Sequence, residues 1–436
     1  MPVPRAAATS ATAGRPADRE SRARATSGRS RRVWLMRVAA VMLPFAVLIV
    51  LEGLFRLAGW YAADGTEVGR QHVRYEAGTV FFPEWDRQIP SPRPRGTRRV
   101  FVLGGSATWG FGVEQPFGTL LEQRLQQQLP QHRWEVINGG VPAYGSHRVL
   151  EVARRACQFE PDVIVVYFGH NEFLEEIFFE ANQRFAESVE RRRFVRQFRL
   201  VRFLSDLART DEASPPELRR EFFGNTHFPL IRSEEQYRLR LEFLEANLRD
   251  LIACCRTHNT RLVIVPAVSN LLWPPGDSVH GPGYRSDPAR WQRLFEQARQ
   301  QFTAEHWHDA IETLATLEEI DPDFAESWYR HGLALLAIGE AERAEHALHQ
   351  ANLRDRRGDR VNPDVFESIV EVCRSESTLV LDLRRRFHGQ LREEYERLRA
   401  GVSSALFLDH CHPSQAGHEI IADEVAAFLA SGQNDR

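Results

Sequence analysis

The chain has 436 residues, of which 43% are hydrophobic and 26% charged, with 56 basic against 59 acidic side chains and a formal net charge of −3. That length suits several domains, or one domain carrying a large insertion. The near-neutral balance excludes a bulk electrostatic case for nucleic acid as a partner, and every basic side chain is Arg because the sequence contains no Lys.

Residues 1–37 hold nine Arg against Asp18 and Glu20 and show no hydrophobic periodicity, which predicts a disordered tail. An apolar run from Val38 to Leu51 follows. It is shorter than the ~20 residues of a spanning helix. Extension from Val33 to Trp60 restores the length, with Arg37, Glu52 and Arg56 near the ends and Trp34, Trp60 and Tyr61 as interfacial aromatics. Residues 38–60 are therefore expected to be a transmembrane signal anchor. No Ala-x-Ala site follows it, so the anchor is expected to stay uncleaved. Ser30-Arg31-Arg32 also fits part of a twin-arginine signal, although a positive-inside flank explains it more simply. The Arg-rich side should be cytoplasmic, leaving the rest of the chain extracytoplasmic on the inner membrane. Cys157, Cys254, Cys255, Cys373 and Cys411 are odd in number and irregularly spaced, so they read as buried free thiols rather than a disulfide framework.

Residues 61–96, with Pro83, Pro90, Pro92 and Pro94, read as a linker. Strand and helix patterns then alternate. Val100–Leu103, Trp134–Ile137, Val163–Phe168, Leu262–Pro266 and Leu379–Leu383 are strand candidates, and Phe117–Leu129 and Ser146–Cys157 are helices. Continuous apolar strands between helices imply an α/β fold with a parallel sheet covered on both faces. Ligands bind such sheets at the carboxyl ends of the strands. Ser106, Gly140 and Asn171 all follow strands and should converge there.

The sheet domain is expected over 97–287 and 357–432. A helical insertion at 173–258 includes the basic amphipathic stretch Arg191–Leu207, which suits either a membrane surface or, more simply, a covering helix. A second interruption, 288–356, repeats with a period of 34: Ala310 matches Ala344 and Leu314 matches Leu348. Trp328, Gly332, Leu335, Gly339, Ala344, Leu348 and Ala351 resemble the spacing of a tetratricopeptide repeat. Two repeats are too few to stand alone, so they should dock on the sheet domain, bury Trp328, and offer a surface for a protein partner.

The chemistry is concentrated in four short motifs. Ser106 follows Gly104-Gly105, whose tight turn either presents a nucleophile or is an ordinary Gly-Ser turn. A serine hydroxyl needs a neighbouring base. His412 in Asp409-His410-Cys411-His412-Pro413-Ser414-Gln415 can be that base, with Asp409 orienting it. The same segment also reads as a helix start capped by Ser414, with Gly417 packing. An oxyanion needs donors. The Ser106 and Gly140 N–H groups and the Asn171 amide can supply them, although Asn171 after a strand also suits an Asx turn.

Ser106, Gly140, Asn171 and His412 resemble, in order, the four signature residues of the SGNH (GDSL-like) esterase and lipase family. The resemblance covers about residues 98–175 and 375–430, and Asp409-x-x-His412-Pro413 with Gly417-His418 is its most specific part. It implies a flavodoxin-like three-layer α/β/α sandwich and acyl-serine chemistry with no metal and no cofactor. Two departures stand out: Gly105 holds the place usually taken by Asp, and Glu172 replaces the Asp after Asn171. Glu52-Gly53-Leu54-Phe55-Arg56 also resembles membrane-anchored bacterial members. Asp409, His410, Cys411, His412 and His418 are rich in ligand types, but no second segment shows matching zinc spacing. Cys411 reads as a packing residue.

The sequence thus predicts a membrane-tethered extracytoplasmic serine esterase acting on an acyl ester. The alternatives are O-acyl transfer to a cell-envelope glycan, and a binding scaffold on an inactive hydrolase domain. Intact Ser106, Asn171, Asp409 and His412 argue against the scaffold.

Overall fold

Apolar runs rich in Val and Ile suit strands buried on both faces, because β-branched side chains pack well on a pleated surface. The computed structural model describes residues 42–58, 92–174, 233–282 and 287–431, with isolated positions at 36, 38, 40, 89, 90, 198, 200, 231 and 284. Among these residues the strands are β1 (Thr97–Gly104), β2 (Arg133–Gly140), β3 (Val163–Phe168), β4 (Arg261–Pro266) and β5 (Leu379–Val380). The helices, in chain order, are α1 (Ser106–Trp109), α2 (Phe117–Gln128), α3 (Ser146–Ala156), α4 (Glu234–Thr257), α5 (Pro288–Thr303), α6 (Trp307–Ile320), α7 (Ala325–Ile338), α8 (Ala341–Arg354), α9 (Pro363–Ser375), α10 (Arg384–His388), α11 (Leu391–Arg399) and α12 (Gln415–Ser431).

The strands form one parallel sheet in the order β2-β1-β3-β4-β5, the flavodoxin-like arrangement. Val100 to Leu103, Ile164 to Val166 and Val263 to Val265 are fully buried, each worth roughly 1.5–3 kcal/mol if taken from water. The chain steps from β1 to β2 in one direction and from β2 to β3 in the other. Right-handed crossovers therefore send the intervening helices to opposite faces. Accordingly α2 packs with α12, whereas α3 and α9 both pack with α4. The predicted fifth strand is shorter than Leu379–Leu383. Its pairing ends at Leu381, whose N–H donates to Ile264 O at 2.9 Å, and Asp382 then accepts the Arg384 N–H at 2.9 Å to start α10.

Gly104 pairs in register with Gly140 on one side and Tyr167 on the other. The residues after β1, β2 and β3 therefore emerge together at the carboxyl edge of the sheet.

The 288–356 interruption contains four helices, α5 to α8, with each packed on the next. A Cβ on Gly332 would lie 2.6 Å from Leu348 Cγ, so α7 and α8 approach closely there. Leu335, Leu336, Ala344, Ala347 and Leu348 form a core that also takes in Leu271, Leu272, Leu391 and Tyr395. This shared core docks the helices on the sheet domain. Trp328 departs from expectation: it is only partly buried, donates its indole N–H to Pro322 O at 2.8 Å, and lies beneath the Arg354 guanidinium.

The chain divides into two compact units, Met1–Ala63 with Arg191–Asp211, and Asp64–Glu190 with Glu212–Arg436. In the first, residues 42–57 are helical. Arg56 pairs with Glu52 at 2.7 Å, and the Leu200 N–H donates to Glu52 at 2.9 Å. Among the described residues no helix is long and apolar enough to cross a membrane. Most of the predicted tail and linker, the Trp34, Trp60 and Tyr61 flanks, and nearly all of Arg191–Leu207 lie outside the described residues. All five cysteines are free thiols.

A buried ion pair supports the far side of the sheet edge. Arg360 and Asp355, each 3% exposed, meet at 3.1 Å. Asp355 also accepts the N–H groups of Gly276, Asp277 and Arg357, while Arg360 donates to the carbonyls of Asn270 and Trp273. Asn270 in turn donates its N–H to His410 O and its amide to Asp409 O, both at 3.0 Å. Arg360→Met should therefore strand the Asp355 charge and cost about 3–5 kcal/mol. Chemical denaturation of parent and variant checks this, and equal stability would remove the ion pair from its bracing role.

Candidate active site

Ser106 is the first residue of α1, and its N–H is one of the orphan donors of a helix start. The helix is only four residues long because Gly110 turns into the left-handed region at φ 101°. Thr108 ties it to β3 by donating to Tyr167 O at 3.1 Å.

His412 arrives from a tight loop. Phe407 and Pro413 form an antiparallel bridge, and the Leu408 N–H donates to His412 O at 2.9 Å. Inside this loop Asp409 Oδ1 accepts the N–H groups of Cys411 at 2.9 Å and His412 at 2.8 Å. Its Oδ2 lies 2.6 Å from His412 Nδ1. A carboxylate only accepts, so Nδ1 carries the imidazole proton and Nε2 is left with a lone pair. That nitrogen lies 2.7 Å from Ser106 Oγ. Burial pushes the Asp409 carboxyl up, but the His412 hydrogen bond and the two backbone donors outweigh it and hold the group well below the usual carboxylate range. The Phe111 ring lies against the imidazole with centroids 4.3 Å apart.

Neighbouring groups are excluded as the base. His170 accepts the Val361 N–H at Nδ1, and burial lowers it to about 3. His418 accepts the Phe117 N–H at Nδ1, and burial lowers it to about 4. Burial raises the Cys411 thiol well above its ordinary value, followed by the Asp409 charge, so it stays protonated. Asp409, His410 and Cys411 do bring donors within 4.8 Å of one another, yet both Asp409 oxygens are already engaged around His412. Ser414 and Gly417 also fill their structural parts. Ser414 Oγ accepts the Gly417 N–H at 3.2 Å, and a Cβ on Gly417 would meet Leu406 O at 2.6 Å.

Asn171 is buried beside the serine turn. Its amide donates to Tyr144 O at 3.0 Å, and a Cβ on Gly105 would lie 2.5 Å from the same nitrogen. Glu172 reaches the N-terminus of α3, accepting the Ser146 N–H at 3.0 Å and hydroxyl at 2.7 Å. There its charge suits the helix dipole.

Gly140 requires a correction. Its N–H donates to Asn138 Oδ1 at 2.8 Å rather than standing free, and a Cβ there would meet Trp109 N at 2.2 Å. Its role is close packing of β2 under α1. The next turn offers a different donor. Tyr144 N–H returns to Val141 O at 3.3 Å, with Pro142 second and Ala143 third at φ 63°. This is the type II pattern, which normally places Gly third. Among the described residues the Ala143 N–H has no hydrogen-bond partner. Sequence reasoning missed Ala143; the one available signal was Pro142 at the second position of a turn.

A GDSL-like Lipase/Acylhydrolase family model matches residues 102–335. Solved structures similar to the chain include the acetyl xylan esterase AlAXEase, at 12% identity over 76% of this chain and 99% of that one, with a TM-score of 0.34. An acetylxylan esterase from Geobacillus stearothermophilus matches at 12% identity over 76% and 93%, with a TM-score of 0.34. A lipase/acylhydrolase from Enterococcus faecalis matches at 12% over 77% and 96%, with a TM-score of 0.30. No curated protein matches. The family model spans more than half of the chain, which therefore belongs to the GDSL-like lipase/acylhydrolase family, as an enzyme that hydrolyses esters.

Proposed function

We propose that the protein is an SGNH-type serine esterase working through an acyl-serine intermediate. The observation that carries this reading is the unbroken chain from Asp409 through His412 to Ser106, with contacts of 2.6 and 2.7 Å. As Ser106 Oγ attacks the ester carbonyl, His412 Nε2 takes the hydroxyl proton, and Asp409 stabilises the resulting imidazolium. The tetrahedral oxyanion is met by the Ser106 N–H, the free hydrogen of the Asn171 amide and, in place of Gly140, the Ala143 N–H. Collapse expels the alcohol, which receives the proton from His412. Water then repeats the sequence to free the acid.

Exposed Trp109, Phe111, Trp273 and Leu408 surround this machinery, with Trp273 6.2 Å from the His410 ring. Flat aromatic faces favour an alcohol portion that is itself a ring, so an acylated saccharide is the favoured substrate class. Such a substrate also keeps open acyl transfer to a cell-envelope glycan. Helices α5 to α8 carry the tetratricopeptide-like repeat of Trp328, Gly332, Ala344 and Leu348, and we read them as a docking insertion for a protein partner. Residues 38–60 we read as an inner-membrane anchor, on the Arg-rich residues before it and the apolar run within it.

A fluorophosphonate probe should label the parent and leave Ser106→Ala unlabelled. His412→Ala should abolish turnover as completely as Ser106→Ala, because nucleophile and base act as one unit, whereas Asp409→Asn should retain a residue of activity. Asn171→Ala should lower turnover by roughly 10²–10³. Iodoacetamide at neutral pH should leave labelling intact, since Cys411 stays a buried thiol. Labelling that survives Ser106→Ala would sink the serine mechanism.

The donor assignment has its own test. Replacing the residue 143 amide by the matching lactate ester removes that N–H with the side chain unchanged, and should cost roughly 10²-fold in turnover. The glycolate ester at 140 should cost far less, and the reverse order would return the role to Gly140. For topology, protease added to spheroplasts should digest the esterase domain and spare residues 1–37. Digestion that requires lysis would refute the orientation.

A further inference from the structure

Helices α8 and α10 meet at a group of donors away from the esterase site. Glu345 and His349 are one turn apart on α8 and share a face, and His388 ends α10 opposite them. Glu345 Oε1 lies 3.6 Å from His349 Nε2 and 3.4 Å from His388 Nδ1. All three donor atoms fall within 4.8 Å of one another. A tetrahedral zinc ion with bonds of about 2.0–2.1 Å spaces its ligands by about 3.3 Å, so the cluster needs little movement to close on one.

His388 is the buried member of the group, its side chain 5% exposed. Its Nε2 faces Ser269 O at 3.4 Å, and its Nδ1 faces the Glu345 carboxylate at 3.4 Å. Nδ1 is buried with no hydrogen bond. A zinc ion at Nδ1 would occupy that nitrogen and leave Nε2–H to donate to the Ser269 carbonyl, the outer contact that orients a metal-bound histidine. Glu345 is 41% and His349 24% exposed, so water can reach a fourth position. Two imidazoles and one carboxylate suit zinc better than magnesium or calcium.

We propose that Glu345, His349 and His388 bind one zinc ion, which clamps the inserted helices to the sheet domain. The ion takes no part in ester cleavage. Its influence on the active site is mechanical, because Ser269 precedes Asn270, which holds the Asp409 and His410 carbonyls.

The full-length chain, stripped with a chelator, is dialysed against zinc and its metal content counted by atomic emission. The same preparation loaded with cobalt is read by visible absorption. One zinc per chain is expected in the parent, in Ser106→Ala and in Asp409→Asn, with a tetrahedral cobalt band in each. Glu345→Gln and His349→Ala, both at partly exposed positions, should bind roughly 100-fold more weakly or worse, since losing a ligand exceeds the effect of losing an outer partner. Zinc should raise the parent's melting temperature and leave that of His349→Ala unmoved. A parent that takes up no zinc, or a His349→Ala variant that binds as tightly as the parent, overturns the proposal. So does zinc lost through Asp409→Asn instead.

Discussion

The Asp409 carboxylate has two oxygens, and the geometry of the active site depends on how they are divided. One is taken by two backbone N–H groups of its own loop, which fixes the turn from Asp409 to His412. The other is left for the imidazole. A carboxylate with both oxygens free would have to be held by its surroundings. Here the loop folds around it and delivers the base already oriented, so the entropy of ordering that side chain is met during folding rather than during catalysis. Asn270 holds the same loop from behind by donating to the Asp409 and His410 carbonyls. Two independent sets of hydrogen bonds thus converge on the four residues from Asp409 to His412.

Much of this arrangement was legible in the sequence. Uninterrupted runs such as Val163–Phe168 can only be buried on both faces, and their alternation with amphipathic stretches gave the parallel sheet and its carboxyl edge. Ser106, Asn171, Asp409 and His412 were legible because the roles proposed for them need particular side chains at the ends of those runs. Gly140 and Ala143 were not distinguishable in the same way. An oxyanion donor on the backbone has no side-chain signature, and a glycine after a strand advertises close approach without saying which way its N–H points. Here the close approach is to Trp109, and Asn138 takes the hydrogen. Trp328 shows a related limit, because the repeat spacing marked it as a seam residue but could not show that the α7–α8 seam would be filled by leucines and alanines. The Glu345, His349 and His388 cluster was invisible because its two segments are separated by a complete helix and an edge strand.

The inserted helices are more than an appendage. Their core includes Leu271 and Leu272 from the loop after β4, the loop whose Asn270 supports the base. Tyr329 on α7 donates to Leu272 O at 2.7 Å. A displacement of these helices would therefore reach the loop behind Asp409 without crossing the sheet. The proposed substrate edge and the insertion share one loop, with Trp273 on the exposed side and Leu271 and Leu272 on the buried side.

Gly105 carries a consequence for redesign of the chain. The family motif that it resembles has Asp before the serine, and consensus engineering would restore it. Here the space for any Cβ is taken by the Asn171 amide, 2.5 Å away. The backbone at Gly105, with φ −88°, would accept a side chain; the neighbour would not. Any side chain introduced at 105 would have to push that amide off Tyr144 O, so this chain's own packing opposes the substitution that consensus would suggest. Glu172 is held elsewhere, at the start of α3, by the Ser146 N–H and hydroxyl.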